Sequence, residues 1–176
     1  MMPTFMEFAD RLHAIPEYSD YRFVVAAAPA RSEADYARYV GDREYVSVVF
    51  GQSYAVMRHA KAAVVNSGTA SLECALIGTP QVVAYKGAEI NFLIAKSIIK
   101  IRYISLGNLI LDRICFRELL QYYFTPGNVL NEVRRMIEDE DYRSDMLAGY
   151  QEIRDALGGE GASAAVAKAM IEELGK

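Results

Sequence analysis

The sequence predicts an α/β protein, a Rossmann-like parallel sheet with helices on both faces and a helical C-terminal segment. Three observations carry this. Short apolar runs alternate with segments of helical apolar spacing from Phe5 to Leu106. Gly51, Gly68 and the pair Gly78/Pro80 stand where one pattern gives way to the other. From Arg117 onward only helical spacing is read. Repeated strand–helix units imply parallel strands joined by right-handed crossovers. Sheets of this kind bind ligands beyond the carboxyl ends of their strands.

In chain order, Phe5, Phe8, Leu12 and Ile15 share one helical face, and Pro3 suits the helix start. Residues 23–28 form a continuous apolar run, expected as a strand buried on both faces. Ser32 caps a helix to about Val40, and a strand follows at 45–50. Residues 53–60 read as a helix and 62–65 as the third strand. The turn Asn66-Ser67-Gly68-Thr69 leads into a helix over 70–77, which Gly78 and Pro80 end. Residues 81–85 make a fourth strand, 90–100 a helix and 103–106 a short strand. Helices are then expected over 117–124, 127–138, 143–157 and 162–174. We divide the chain into residues 1–124, the Rossmann-like part, and 125–176, helices that pack on it.

Composition narrows the function. With 176 residues the chain is long enough for one α/β domain with a full core. It is 52% apolar and 24% charged, with a net charge of −4, which argues against nucleic acid as a partner. Cys74 and Cys115 are far apart and read as reduced thiols of a cytoplasmic protein. His13 and His59 have no partners at metal-ligand spacing, so neither a metal nor a cofactor is expected. The opening residues read as no signal peptide, and no apolar stretch reaches the roughly 20 residues of a membrane span.

The strongest local feature is the turn from Asn66 to Glu73. A strand ends, Gly68 permits a close turn, and a helix begins with free amides that can seat a phosphate. Ser67 and Thr69 add hydroxyls, and Glu73, one turn further, could take two ribose hydroxyls. Spacing alone also fits an ordinary capped helix, with Ser67 or Thr69 as the cap.

The run from Asn66 to Lys86 closely resembles the SGTATLEAALLGTPMVVxYK signature of lipid-A-disaccharide synthases. Tyr103 to Arg113 and Glu118-Leu119-Leu120-Gln121 resemble the family's YxSLPNLLxGR and PELLQ blocks. Phe124-Thr125-Pro126 and residues 157–163 resemble its FTP and LGxxGAS segments. The likeness runs in order from about Tyr21 to the end. Gly107 and Asp112 stand where the family usually has Pro and Gly, and Phe116-Arg117 replaces a common Val-Pro.

The resemblance implies the C-terminal, donor-binding half of a GT-B glycosyltransferase of Gram-negative lipopolysaccharide synthesis. Such enzymes transfer 2,3-diacylglucosamine from UDP to 2,3-diacylglucosamine 1-phosphate, with inversion. On that analogy Ser67, Gly68 and Thr69 contact the diphosphate and Glu73 the ribose. Gly51, Gln52 and Ser53 stand toward the uridine, and Asn108, Arg113, Glu118 and Gln121 toward the sugar or phosphate. Lys86 and Arg102 are further basic candidates near the same edge. Asp139-Glu140-Asp141 imitates the DxD of metal-dependent transferases but follows an amphipathic helix, and reads as a connector.

The acceptor-binding domain and the catalytic base belong to a preceding half in this family. The fragment alone is therefore expected to be inactive. The resemblance leaves open a homodimer and peripheral contact with the cytoplasmic face of the inner membrane. Another GT-B domain (a peptidoglycan N-acetylglucosaminyltransferase or UDP-sugar epimerase type) and a non-catalytic nucleotide-binding module remain as alternatives.

Overall fold

The structure is a computed structural model, and it describes residues 1–87, 102–158 and Met170. The expected helix over 90–100, and that over 162–174 apart from Met170, lie outside the described residues.

The alternating pattern folds as parallel strands with helical crossovers. In order these are α1 (Met2–His13), β1 (Phe23–Ala26), α2 (Glu33–Val40), β2 (Val46–Val49), α3 (Ser53–His59), β3 (Ala63–Asn66), α4 (Thr69–Ile77) and β4 (Gln81–Tyr85). Then come α5 (Leu106–Leu111), β5 (Glu118–Leu120), α6 (Pro126–Glu138) and α7 (Glu140–Leu157). Every strand pair is parallel, and hydrogen bonding divides the strands into a pair, β1-β2, and a triplet, β3-β4-β5.

β4 is the centre of the core. Val82, Val83 and Ala84 are fully buried between β3 and β5. Around them close Leu12 of α1, Leu119 of β5, Val129 and Met136 of α6, and Met146, Tyr150 and Ile153 of α7. Helices α6 and α7 thus share one core with the β3–β5 sheet. Local signals set several ends. The Asp35 carboxylate accepts from Ser32 N (2.9 Å) and Oγ (3.0 Å) and starts α2. Thr125 Oγ1 accepts from Asn128 N at 3.2 Å and starts α6. The Asp139 carboxylate accepts from Tyr142 N at 2.9 Å and starts α7, so the acidic triplet is a helix start.

Three expectations are corrected. β1 is not buried on both faces. Phe23 and Val25 pack against the Met6/Ala9/Val46 cluster, whereas Val24 on the opposite face is 43% exposed. Residues 103–106 form no strand, because the amides of Ile104 and Ser105 donate to the Glu118 carboxylate, both at 3.0 Å, and not to a neighbouring strand. Residues 117–124 form β5 and a single 3-10 turn (Gln121–Tyr123), not a helix. Buried β4 needs a hydrogen-bonding neighbour on each side, and Val83 N donates to Arg117 O at 2.9 Å. Glu118 therefore stands on a strand, and Gln121 on the turn beyond it.

Candidate donor-binding site

The parallel register sets the ends of three strands side by side. Asn66 pairs with Ala84, and Tyr85 with Leu120. Ser67, Lys86 and Gln121, the next residues of each strand, line one carboxyl edge.

At β3, Ser67 N still donates to Ala84 O at 3.1 Å. The chain then turns at Gly68, whose φ of +144° and ψ of −160° disfavour any side chain. Space is not the constraint, since a Cβ there would meet nothing within 4 Å. Gly68 is itself the N-cap of α4, and no side chain caps this end. Neither Ser67 nor Thr69 serves as the cap. Ser71 Oγ turns back to Gly68 O at 2.8 Å. Ser71 N donates to Gly68 O at 3.3 Å, which leaves the amides of Thr69 and Ala70 without a partner inside the helix, at a turn where Gly68 and Thr69 are exposed.

The rest of α4 is fixed by bonds to other parts of the chain. Gln81 Nε2 donates to Ser71 O at 2.8 Å. At the other end Gly78 takes the left-handed conformation (φ +96°), and Arg154 Nη2 donates to Leu76 O at 2.7 Å. Thr79 Oγ1 donates to Met57 O at 2.6 Å and ties α4 to α3. The helix thus aims its positive end at the sheet edge.

Glu73 lies four residues beyond Thr69, about 6 Å along the axis. It closes an open hollow of about 400 Å³ lined by Gly51, Gln52, Ser53, Tyr54 and Ala55. The structure therefore brings the Gly51–Ser53 loop and Glu73 together, two sets separate in sequence. It also adds Tyr54, 62% exposed, which the sequence reading did not single out. The available signal was an aromatic residue directly after a candidate ligand loop.

The remaining candidates are placed differently. Asn108 is fully buried and its amide is saturated. Its Nδ2 donates to Phe116 O and to Glu118 Oε1, both at 2.9 Å, and its Oδ1 accepts from Cys115 N at 2.8 Å and Phe116 N at 3.3 Å. Glu118 accepts from Ile104 N, Ser105 N, Ser105 Oγ and Asn108 Nδ2. These two residues hold the loop that starts α5. Arg113 Nη2 donates to Glu152 Oε1 at 2.6 Å, and that bond raises the guanidinium pKa further. Arg102 is 3.8 Å from Asp112, both largely solvated, and Lys86 is exposed.

Two departures from the family pattern touch each other. A Cβ on Gly107 would lie 2.8 Å from the Phe116 ring, so Phe116 occupies the space that a proline at 107 would need. Neither thiol is poised for chemistry. Burial pushes Cys74 up to about 12 and Cys115 up to about 11. Among the described residues no cluster of three or more His, Cys, Asp or Glu could hold a metal, and no helix is long and apolar enough to cross a membrane.

Known proteins agree with this architecture. The family model described as Lipid-A-disaccharide synthetase matches residues 1–170. The lipid-A-disaccharide synthase of Anaeromyxobacter dehalogenans (strain 2CP-C) is 33% identical over 173 residues, 97% of this chain and 45% of its own length. That of Myxococcus xanthus is 35% identical over 175 residues, 99% of this chain and 45% of its own. The chain thus spans about half the length of the curated relatives it matches. Among solved structures, the glycotransferase of kitacinnamycin superposes with a TM-score of 0.58 at 20% identity, covering 94% of this chain and 39% of that one. Glycosyltransferase VinC, solved in complex with DTDP, gives 0.54 at 17% identity over 85% of this chain and 34% of its own. These two likenesses establish the fold, a GT-B type of sheet and helices. With a family match across nearly its whole length, the chain belongs to the lipid-A-disaccharide synthetase family.

Proposed function

We propose that this chain is the donor-binding part of a lipid-A-disaccharide synthase, holding the UDP of UDP-2,3-diacylglucosamine while the sugar passes to 2,3-diacylglucosamine 1-phosphate. The observation that carries the reading is the uncapped start of α4 beside the Glu73 hollow. In this reading the amides after Gly68, with the Ser67 and Thr69 hydroxyls, take the diphosphate and stabilise its charge as UDP departs. Glu73 accepts from the ribose hydroxyls. Gln52 and Ser53 bond the uracil edge, and Tyr54 offers its ring face to the base. Asn108 and Glu118 shape the loop and leave the donor untouched. Arg113 reaches the donor only by releasing Glu152.

An inverting transfer needs a base for the acceptor hydroxyl, and nothing among the described residues is activated for that role. We assign the base and the acceptor site to a companion N-terminal domain, working at the cytoplasmic face of the inner membrane. On this reading the 176 residues bind donor but do not turn it over.

Titration calorimetry of the chain with UDP, ADP and UMP tests the reading. UDP should bind in preference to ADP and UMP. Glu73→Ala should weaken UDP by about 1–3 kcal/mol through loss of charge-assisted hydrogen bonds. Absence of UDP heat from folded protein, or unchanged UDP affinity in folded Glu73→Ala, refutes the assignment.

A further inference from the structure

We infer that the gap between β1 and β3 is a slot for one more parallel strand, apolar on both faces, supplied by the N-terminal part of the longer relatives. The inference rests on strand edges and helix placement, and it stands apart from the nucleotide reading above.

Two backbone edges are left open. On β1, Phe23 N and Ala27 N donate to Tyr45 O and Val49 O, both at 2.8 Å. Alternate residues of a parallel ladder turn their backbone groups the other way, so those of Val24 and Ala26 point away from β2. On β3, Ala63 N donates to Pro80 O at 2.8 Å and Ser67 N to Ala84 O at 3.1 Å, so Val64 and Asn66 turn away from β4. Among the described residues no ladder joins β1 to β3. Long side chains link their amino ends instead, with Lys61 Nζ donating to the Tyr21 hydroxyl at 3.5 Å. Val24 is 43% exposed and Ala26 is exposed, although residues 23–28 are apolar throughout. Such a run suits a strand covered on both faces. An open edge does not need that composition, whereas a filled slot does.

The handedness of the crossovers names the occupant. Helices α1 and α2 touch each other and so lie on one face of the sheet. The unit β1-α2-β2 steps from β1 to β2 by a right-handed crossover. A right-handed crossover through α1 on the same face takes the same direction. A strand leading into α1 therefore lies beside β1 on the edge away from β2, which is the gap. Helix α1 already spans it, with Phe8 and Leu12 in the core around β4 and Met6 and Ala9 in the cluster with Val46 of β2. The step from β2 back to β3 reverses direction, which sets α3 on the opposite face, where it touches β1 and α4. With a helix on each face, the occupant must be apolar on both. It would hold β1 and β3 two strand spacings apart, about 10 Å. The curated relatives, about twice as long as this chain, have the polypeptide to supply it.

The test adds a strand to the full chain. The probe is a synthetic peptide of about ten residues, enough for a strand of ordinary length. Its sequence is the stretch that immediately precedes the matched region in the Myxococcus xanthus relative. Amide hydrogen exchange is followed by NMR with and without it. The amides of Val24, Ala26, Val64 and Asn66 should exchange freely in the chain alone and slow by at least about tenfold with the peptide. The same peptide with proline at its centre lacks a ladder donor and should give no protection. Val24→Asp should weaken peptide binding by at least about tenfold, since filling the slot takes its carboxylate out of water. Its side chain is half-exposed in the chain alone, so the unliganded fold should survive.

No slowing at the four amides, or equal slowing by the proline peptide, overturns the inference. Slow exchange at these amides without peptide overturns it too, because the edges are then already paired. A dimer mass by light scattering in that case would give the slot to a second copy of this chain. If UDP binds neither the chain nor its peptide complex, the donor site falls and the slot stands.

Discussion

Gly107 and Phe116 are the sharpest test of how this chain differs from its relatives. Both are departures from the family pattern, and the structure makes them one packing unit. A Cβ at 107 would sit 2.8 Å from Phe116 Cε1 and Cζ and 3.0 Å from Ile153 Cδ1. Carbon atoms pack comfortably at about 3.5–4.0 Å, so the ring would have to retreat by roughly 1 Å. It has nowhere to go, because Phe116 is fully buried and meets Tyr150 edge-on at 6.0 Å between ring centroids.

Overpacking of this kind costs about 1–3 kcal/mol. For Gly107→Pro that cost stands alone, since position 107 lies in the first turn of α5, where the amide has no helical partner to lose. Phe116→Val alone leaves a cavity and should cost about 2–4 kcal/mol. Combined, the pyrrolidine ring moves into the space that the benzene ring vacates. The double variant should then be more stable than the sum of the single effects by at least about 1 kcal/mol. Urea unfolding of the four proteins, read by circular dichroism, gives the cycle. Additivity within about 0.5 kcal/mol would refute the steric account and leave the two departures unrelated.

Two further outcomes follow from the fold. Asp112 ends α5 in the left-handed conformation (φ +47°), where the family pattern has glycine, and its ion pair with Arg102 is solvated. Asp112→Gly should raise the urea midpoint by the equivalent of about 0.5 kcal/mol, and a fall would contradict the strain argument. Asp10 accepts from Arg43 Nε (2.5 Å) and Nη2 (2.8 Å), and also from Tyr45, which hold its pKa below the usual carboxylate value. A depressed folded pKa contributes stability that is present above the unfolded value near 4 and is lost as pH falls through the folded one. Asp10→Asn should thus cost on the order of 1 kcal/mol at pH 7, both partners being partly solvated. The difference from the parent should shrink in acid, and an equal difference at pH 7 and pH 3 would show that the charge is not what matters.

Much of the framework was legible locally. The fourth strand is found at the residues expected, and Gly78 and Pro80 mark the end of α4 because chain stereochemistry there needs no distant partner. The Ser32/Asp35 start of α2 is likewise a contact between residues three apart. The turn at Gly68 was legible as the junction of a strand and a helix, since a glycine there limits what the backbone can do.

What the chain could not declare alone is what its distant parts do to one another. Three residues, Glu118 to Leu120, are too few to carry a period, and β4, some 35 positions earlier, makes them a strand by offering unmet backbone groups. The same contact denies Ile104 and Ser105 a strand partner and hands their amides to Glu118. Asn108 looks in sequence like a ligand-binding amide, and only packing reveals that its hydrogen bonds are already taken. Tyr54 and Glu73 likewise share a hollow only because α3 packs on α4. Local stereochemistry is written into neighbouring residues, whereas hydrogen-bond satisfaction and burial are settled between residues that meet only when the chain has folded.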